Sequence, residues 1–407
     1  MPPILNARAI QVSRTLATLA DLGWSPQVIC LSSGGGQRAS PGDPTWRHYL
    51  DRFQKIEVAS PDQKWPFQQF WRFVLPLKWL DVRRRLWAQR ALPIAEARLA
   101  SGRFAALITF AQPWVDHVIG LHLHRKTGLP WIAHFSDPWV DSPYLGWTDL
   151  LRRQWRDQEQ AVIAEADAVI FTNAQTVDLV MRKYPAAWRD KVHVIPHGYD
   201  PALLNQVGAA PPAGDRLRLA YTGNFYRRRT PLPLLRALAA LKDDHELASG
   251  LEVIFVGLGM GSSRWAARYM GLDDLVTFRG SLPYLESLRV AAEADVLLVI
   301  DAPSEGPSVF LPSKLVDYLM LRKPILGITP LQGASADLLR RLECPVVAPD
   351  DVPGMASALS DLFRQWRQGR LGVSPAYERV AQEYDIQRTT LALDAILRQL
   401  VGDAPSR

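Results

Sequence analysis

The sequence predicts an α/β protein with two doubly wound domains, each a parallel sheet with helices on both faces. Two observations support this prediction. Short apolar runs alternate with longer amphipathic stretches along most of the chain, a pattern typical of parallel strands flanked by helices. The length of 407 residues also exceeds what one hydrophobic core usually supports, so we expect two domains.

Five apolar runs in the first half are assigned to strands. They are Gln27–Leu31, Ala105–Thr109, Trp131–His134, Ala168–Phe171 and Val192–Ile195. Apolar residues recur with helical spacing between these runs. The helices predicted from this spacing are Val12–Leu22, Trp114–Thr127, Leu150–Glu165 and Ala174–Tyr184.

The chain enters its first helix without a preceding strand. A doubly wound domain normally opens with a strand in the middle of its sheet, buried on both faces. The first strand of the N-terminal domain is therefore missing from the pattern. Either the natural start lies upstream of Met1, or this domain closes its sheet in another way, and we favour the upstream start.

The second half repeats the alternation of strands and helices. Its predicted strands are Leu217–Tyr221, Leu251–Val256, Val276–Arg279, Val296–Ile300, Ile325–Ile328 and Val346–Val347. Its predicted helices are Pro231–Leu241, Ser263–Met270, Tyr284–Ala292, Ser313–Leu321, Ala334–Leu342, Pro353–Gln368 and, without a following strand, Ala376–Leu400.

Domain boundaries are predicted from a small, uncharged, Pro/Gly-rich stretch that reads Gly-Ala-Ala-Pro-Pro-Ala-Gly from Gly208. We place the interdomain linker there, at 208–215. The N-terminal domain then covers 1–207 and the C-terminal domain 216–375. Residues 376–407 are expected to form a helix and tail that pack back on the N-terminal domain.

The composition is that of a globular protein, with 48% apolar and 22% charged residues. No window approaches the ~18 apolar residues of a membrane span, and the N-terminus lacks the apolar core of a signal peptide. Cys30 and Cys344 fit a reducing compartment and offer no disulfide framework or zinc site. We therefore expect a cytoplasmic protein that can lie peripherally on the inner membrane.

Residues 64–103 are rich in basic and aromatic side chains. Phe67, Phe70 and Trp71 fall on one helical face, so this segment can contact a membrane surface. The alternative is an internal helix pair whose tryptophans pack into the core. Nucleic-acid binding favours basic residues spread along one face with exposed aromatic residues. It is not expected here, because the aromatic residues lie on an apolar helical face.

The stretch from Pro312 to Pro324 suits a phosphorylated sugar donor. A loop presents Lys314, and a helix carries Asp317 about one turn further on. The helix N-terminus and the lysine would meet phosphate, while the carboxylate could accept hydrogen bonds from ribose hydroxyls. The alternative is a Ser-capped helix with a solvated lysine and aspartate.

Several motifs occur in the order found in the donor half of nucleotide-sugar glycosyltransferases. They are Tyr221-Thr-Gly-Asn-Phe-Tyr, Arg229-Thr-Pro, Val256-Gly-Leu-Gly, Phe278-Arg-Gly-Ser, Ala294-Asp-Val and Pro312-Ser-Lys. Val194-Ile-Pro-His-Gly-Tyr-Asp and Ala133-His-Phe-Ser-Asp-Pro-Trp extend the match into the first half. The chain resembles family-four retaining glycosyltransferases with the two-domain GT-B fold, of the bacterial surface-polysaccharide type, across nearly its whole length.

The resemblance implies two Rossmann-like domains facing a cleft. It also implies transfer of a sugar, with retention of anomeric configuration, from a nucleoside diphosphate sugar to a hydroxyl group of a lipid-linked or saccharide acceptor. Neither a metal nor a cofactor is implied, because the nucleotide sugar is a co-substrate. Departure of the diphosphate creates negative charge, so preorganised positive charge is the main catalytic demand.

The resemblance assigns roles to particular residues. Arg229 and Lys314 would neutralise the leaving diphosphate, and Asp137 and His134 would face the acceptor or the donor sugar. The donor-binding residues would be Gly223, Asn224, Arg227, Gly257, Gly259, Gly280, Ser281, Ser313 and Asp317. Structural roles for the histidine and a solvated turn for the arginines remain alternatives.

Three further residues receive weaker assignments. Asp141 and Tyr144 are candidates on the acceptor side. His197 lies beside the predicted hinge, where a structural hydrogen bond is expected.

One carboxylate of the family pattern is absent. The family pairs two glutamates with seven residues between them, and Asp317 aligns with the second. Val309 occupies the first position, and Glu305 lies four residues too early. Contacts to the hydroxyl groups of the donor sugar therefore do not follow from this motif.

Two alternatives to a transferase remain open. Nucleotide-sugar epimerases resemble the same fold but act on the donor alone. A chain that lacks its first strand and one motif carboxylate could also be a degenerate, non-catalytic partner subunit.

Overall fold

The computed structural model describes residues 7–32, 47–59, 82–142, 149–208 and 214–402. The chain forms two compact units. Unit 1 takes the described residues up to Gly198 and from Ile386 onward, and unit 2 is Tyr199–Asp385. Both units are α/β, with parallel sheets.

The described part of unit 1 begins with a helix, the element that the sequence analysis places first. Its strands are β1 (Gln27–Leu31), β2 (Gln54–Val58), β3 (Leu107–Ala111), β4 (Trp131–Phe135), β5 (Ala168–Phe171) and β6 (Val192–Val194). The helices up to this point are α1 (Ala7–Asp21), α2 (Arg47–Leu50), α3 (Val82–Ser101), α4 (Val115–Thr127), α5 (Asp149–Glu165) and α6 (Ala174–Met181).

The strands of unit 1 form two parallel sheets, β1-β2 and β3-β4-β5-β6. Within the described part of the chain, no strand joins β1 to β3. Helices α3 and α4 connect the two sheets through an apolar cluster that contains Val58, Trp87 and Val115. Every residue of β4 is buried, as an inner parallel strand requires.

Unit 2 carries the longer parallel sheet. Its strands are β7 (Leu217–Thr222), β8 (Leu251–Val256), β9 (Val276–Gly280), β10 (Val296–Ile300), β11 (Ile325–Ile328) and β12 (Val346–Val347). Its helices are α7 (Leu204–Val207), α8 (Leu232–Ala240), α9 (His245–Gly250), α10 (Gly261–Tyr269), α11 (Tyr284–Glu293), α12 (Ser313–Leu319), α13 (Ala334–Arg341), α14 (Val352–Arg367) and α15 (Pro375–Ala381).

The strand order of unit 2 is β12-β11-β10-β7-β8-β9. The chain therefore builds the sheet outward from β7 in one direction, then returns to β10 and builds it in the other. Ligands of open α/β sheets bind at the carboxyl ends of the strands where this order reverses. That point in unit 2 lies at the ends of β7 and β10, where Gly223 and Asp301 follow the two strands.

The last helix, α16 (Ile386–Val401), belongs to unit 1. Its buried Leu393 and Leu397 join the apolar cluster that contains Val12 and Leu16 of α1. Trp24 Nε1 also donates a hydrogen bond to Asp394 Oδ1 at 2.6 Å. Of the segment 376–407, the part before Ile386 stays with unit 2.

The boundary between the units differs from the predicted linker. It lies at Gly198, ahead of 208–215, of which residues 209–213 fall outside the described residues. Leu203 is fully buried in a core cluster of unit 2, and Tyr199 N donates to Tyr384 O at 2.8 Å. These contacts attach the segment before the Pro/Gly-rich stretch to unit 2.

Five elements lack a counterpart in the prediction. They are β2, α2, α3, α7 and α9. Strand β2 reads Gln-Lys-Ile-Glu-Val, so its charged side chains mask the apolar pattern, and α3 contains Pro93. The run predicted at Ala105–Thr109 forms strand two residues later, as β3.

The aromatic, basic segment is only partly described, because residues 60–81 lie outside the described residues. In its described part, Trp87 of α3 is buried and donates from Nε1 to Val58 O at 3.1 Å. None of the helices in the described ranges is long and apolar enough to cross a membrane.

Candidate functional site

Backbone loops form the floor of the candidate site in unit 2. Gly223 N donates to Val256 O and Gly257 N donates to Gly280 O, both at 2.7 Å. A Cβ at Gly257 would overlap the Gly223 carbonyl. The ends of β7, β8 and β9 therefore lie in backbone contact, which only glycine allows at this position.

Lys314 lies directly above this floor. Its Nζ is 3.6 Å from the centroid of the Tyr221 ring, a cation–π contact. A Cβ at Gly223 would collide with the amine, so glycine makes room for it. The amine is buried and has no hydrogen-bond partner among the described residues, which is unusual for a buried polar group.

Arg229 and Asp301 form a buried ion pair beside the lysine. Arg229 Nη2 donates to Asp301 Oδ1 at 2.9 Å, and the two side chains are 11% and 5% exposed. Ser335 Oγ donates to the other carboxylate oxygen at 2.9 Å. Arg229 also lies over the Tyr226 ring, with Cζ 5.0 Å from its centroid.

The three charges influence one another strongly. Burial lowers the pKa of Lys314 well below its usual value, and the neighbouring Arg229 lowers it further, while Asp301 opposes both. Burial raises the pKa of Asp301, and the charge of Arg229 counteracts this. One carboxylate therefore faces two basic groups, and an incoming anion would be stabilised by both of them.

Asp317 lies on the same helix as Lys314. It is buried on α12, beside Tyr318. The Tyr318 hydroxyl accepts a hydrogen bond from Thr222 N at 2.9 Å, which ties this helix to the end of β7. The helix has seven residues and begins after Pro312, with no side-chain cap at its N-terminus. Ser313 is its first residue and does not cap it.

The other predicted donor-binding residues lie on the loops of this floor. Asn224 is exposed, and its Oδ1 accepts a hydrogen bond from Leu258 N at 2.8 Å. Arg227 and Ser281 are exposed, whereas Gly259 packs closely on the Phe225 carbonyl. Of the two positions considered for the missing carboxylate, Val309 is buried and Glu305 is exposed.

In unit 1, His134 and Asp137 lie at the carboxyl end of β4. His134 is 7% exposed, and its ring centroid lies 5.9 Å from that of His197. Asp137 accepts a hydrogen bond from Gln112 Nε2 at 3.2 Å. Asp141 instead pairs with Lys183, which also binds Glu159.

Sequence reasoning missed charged residues in both units. Asp301 directly follows an entirely apolar run in the sequence. That position indicates that Asp301 lies at the carboxyl end of a buried strand, where ligands bind. Arg8 and Asp116 lie on α1 and α4 of unit 1 and interact electrostatically with each other.

Tyr144 lies outside the described residues. The described residues contain no cluster of three or more His, Cys, Asp or Glu suited to a metal ion.

Replacing Gly223 by alanine should disturb both the backbone and Lys314. The new methyl group would occupy the position of the amine, at a φ of 155°, and we expect a loss of about 1–3 kcal/mol in the free energy of unfolding. Urea denaturation measures this loss. Gly372→Ala is the control, because no atom lies within 4 Å of its added Cβ. Equal stability of the two variants would contradict the packing described.

Acid should destabilise unit 1 through its desolvated histidines. Desolvation lowers the pKa of His197 to about 3 and lowers the pKa values of His117 and His134 as well, against about 6.5 in an unfolded chain. Below pH 6.5 the unfolded state binds more protons, so stability is lost as pH falls. His197 alone should contribute a loss of about 2 kcal/mol at pH 5.

Denaturation at pH 7.5 and pH 5 measures this loss. His197→Gln should reduce the difference between the two pH values. The exposed His245, replaced by glutamine, serves as the control and should leave the difference unchanged. Identical pH dependence in wild type and His197→Gln would show that this histidine is not desolvated.

Comparison with known proteins adds evidence on the family. Residues 9–198 match the family model described as a glycosyl transferase 4-like domain. A D-inositol 3-phosphate glycosyltransferase from Saccharomonospora viridis is 29% identical over 269 residues, which are 60% of this chain. The match spans 58% of the length of that relative.

Solved structures resemble the chain over almost its full length. Sucrose-phosphate synthase from Thermosynechococcus elongatus has a TM-score of 0.70 at 19% identity, covering 96% of this chain and 92% of that structure. The Anabaena protein HepE, in complex with UDP-glucose, has a TM-score of 0.67 at 14% identity, covering 97% and 96%. The predicted α/β fold with parallel sheets is thus confirmed by these structures, and just under half of the chain matches the glycosyl transferase 4-like family model.

Proposed function

We propose that this protein is a retaining glycosyltransferase. It moves a sugar from a nucleoside diphosphate sugar to a hydroxyl group of a lipid-linked or saccharide acceptor. The observation that carries the proposal is the amine of Lys314, which has no hydrogen-bond partner among the described residues. It lies beside the Arg229–Asp301 ion pair, at the reversal point of the unit 2 sheet. This is where an open α/β sheet binds its ligand.

The diphosphate is the part of the donor that fits this charge arrangement. Burial disfavours the charged form of the Lys314 amine and lowers its pKa, and an arriving anion would favour that charged form. Phosphate oxygens would replace the missing hydrogen-bond acceptors of Lys314 and add to those of Arg229. Asp301 keeps the ligand-free site from carrying two uncompensated positive charges.

The transfer itself needs few groups. The bond between the anomeric carbon and the phosphate oxygen breaks, and a bond to the acceptor oxygen forms on the same face of the sugar. The acceptor proton passes to the leaving phosphate oxygen, so the products are a glycoside and a nucleoside diphosphate. Arg229 and Lys314 stabilise the charge on that leaving group.

The remaining parts of the proposal concern the nucleoside and the acceptor. Asp317 and the loop at Gly280 and Ser281 hold the nucleoside, which we take to be uridine because HepE was solved with UDP-glucose. The product contributes to a cell-surface polysaccharide. The protein works in the cytoplasm, with residues 64–103 able to contact the inner membrane.

Replacing Lys314 by alanine should reduce turnover by about a hundredfold or more, because a charge aimed at the leaving group is lost. The assay first tests UDP-sugars for thermal stabilisation, then measures transfer to sugar acceptors with the best donor. Product NMR reports the anomeric configuration. Lys242→Ala is the matched control, since Lys242 is exposed in unit 2 and binds only the Met270 carbonyl in the described structure.

Near-normal turnover of Lys314→Ala would refute the role of this lysine. Interconversion of the UDP-sugar without any acceptor would replace the transferase proposal by an epimerase. An absence of binding and turnover with every UDP-sugar would favour a non-catalytic subunit. Inversion of configuration in the product would overturn the retaining mechanism.

Asp301→Asn should weaken the fold, and it should weaken nucleotide binding because Arg229 loses the partner that positions its guanidinium. The change removes the carboxylate between two buried basic groups, and breaking such a pair costs about 3–5 kcal/mol. The free energy of unfolding and the affinity for UDP measure the two effects. Adding Arg229→Gln should recover part of the stability but not the UDP affinity. Recovery of both would show that the ion pair is purely structural.

A further inference from the structure

Helix α10 of unit 2 exposes its large side chains and buries its small ones. Trp265 is 77% exposed and Tyr269 is 93% exposed, whereas the buried side chains of the helix are those of Ser263 and Ala267. A surface helix normally turns its large apolar side chains toward the core and its polar side chains toward the solvent. The packing of unit 2 therefore does not explain why these two rings are on the outside.

The two rings share one side of the helix. Trp265 and Tyr269 are four residues apart, so they are neighbours on the helix surface. Arg268 lies between them in the sequence and is also exposed. We call the surface formed by Trp265, Arg268 and Tyr269 the α10 face. Leu258, in the turn that precedes the helix, adds another exposed apolar side chain nearby.

The residue types of the α10 face are those that dominate protein interfaces. Trp, Tyr and Arg supply most of the binding energy at such contacts and are enriched at their centres. Apolar side chains that are exposed singly need no explanation, whereas adjacent ones mark a contact surface. We therefore expect the α10 face to be covered by a partner.

The charges around this face are separated along the helix. Helix α10 carries Arg264 and Arg268 and no acidic residue. Asp273 and Asp274 follow it in the turn before β9, and both are exposed. Within the described part of the chain, no ion pair neutralises Arg268 or the two aspartates. Positive charge thus lies along the helix, and negative charge lies beyond its carboxyl end.

A second copy of the chain matches this distribution of charge. If two α10 helices pack antiparallel about a two-fold axis, the same surface serves both copies. The aspartates beyond the end of one helix then lie opposite Arg264 of the other helix, and the aromatic rings meet between them. An anionic lipid surface would attract the arginines but repel Asp273 and Asp274, so it fits less well.

The apolar area is sufficient for a reversible dimer. An aromatic side chain buries roughly 150–250 Å² in a contact, so the four rings of two copies would bury about 600–1,000 Å². Leu258 and the arginines enlarge this area toward the ~1,200 Å² at the lower end of specific interfaces. A contact of this size corresponds to a dissociation constant on the order of micromolar.

We propose that the α10 face binds a second copy of this chain, so that the protein forms a symmetric dimer through unit 2. Trp265 and Tyr269 provide the apolar contact. Arg264 of each copy pairs with Asp273 and Asp274 of the other copy, which makes the two helices antiparallel.

Sedimentation equilibrium of the full chain tests the dimer. Between about 1 and about 100 µM the wild type should change from monomer to dimer. Trp265→Gln and Tyr269→Gln should each weaken the dimer by about tenfold or more, because each removes a central aromatic side chain. Leu331→Gln is the control, since Leu331 is an exposed apolar residue of unit 2 outside α10, and it should dimerise like the wild type.

The two glutamine variants should fold normally, because the side chains that they replace are exposed. Their circular dichroism spectra and melting temperatures should match the wild type at about 1 µM, where the wild type is mostly monomeric. Loss of the dimer together with an unchanged monomer is the result that supports the proposal. A dimer that both variants retain would show that another surface is used and would overturn it.

A charge exchange tests the antiparallel direction. Arg264→Asp places like charges opposite each other in its own dimer, and so does the double variant Asp273→Arg with Asp274→Arg. Each protein alone should therefore dimerise more weakly than the wild type at low salt. In an equimolar mixture, opposite charges face each other on both sides of the two-fold axis, so the mixture should regain the dimer. A mixture that stays monomeric would overturn the proposed arrangement.

Two further results would reject the dimer. The first is a wild type that remains monomeric over the whole concentration range. The second is a monomeric wild type that floats with vesicles of phosphatidylcholine and phosphatidylglycerol while Trp265→Gln does not. This second result would identify the α10 face as a lipid contact instead.

Discussion

The candidate site of unit 2 depends on the buried contact between Arg229 and Asp301. Removing two charges from water is expensive, and the mutual attraction of a buried pair often only offsets that cost. A pair alone would therefore say little about function. The informative feature is the third charge, Lys314, which is buried beside the pair and, among the described residues, has only an aromatic ring against its amine. Such an arrangement stabilises the fold less than an apolar cluster would, but it is well suited to binding an anion.

Glycines decide how closely the parts of this site approach one another. Gly257 allows the loops after β7 and β8 to touch through their backbones, and Gly223 leaves room for the lysine amine. The position of Lys314 thus depends on glycine, because any side chain at Gly223 would occupy the space of the lysine amine. The hydroxyl of Tyr318 fixes the other side, because it binds the last residue of β7. Charge and close packing come from different segments, and the strand order brings them together.

Sequence patterns were sufficient for the strands of unit 2. Strands β8, β10, β11 and β12 have the predicted bounds, because each is a short apolar run bounded by polar residues or breakers. Strand β2 was missed, since its alternating Lys55 and Glu57 hide an edge strand that only pairing with β1 reveals. The boundary at Gly198 was missed for a related reason: Leu203 decides it through tertiary contacts, which local composition does not show.

The site was only partly predictable. Arg229 and Lys314 were found from the motifs that surround them, whereas Asp301 belongs to no motif and is identified by its ion pair. Arg8 and Asp116 are far apart in sequence and become electrostatic neighbours only in the folded chain. Such residues are recognised only by their proximity in the folded structure. The pattern of a single sequence does not show which distant residues will be neighbours.

The membership of α16 in unit 1 has a consequence for synthesis on the ribosome. Unit 1 is discontinuous, because its core includes Leu393 and Leu397 together with side chains of α1. The first 198 residues therefore emerge with an apolar face that stays uncovered until nearly the whole chain has been made. Unit 2 is continuous and can fold as soon as it has emerged. Unit 1, whose synthesis starts first, is thus completed last. Helix α16 must be translated before the exposed apolar face of unit 1 contacts another chain.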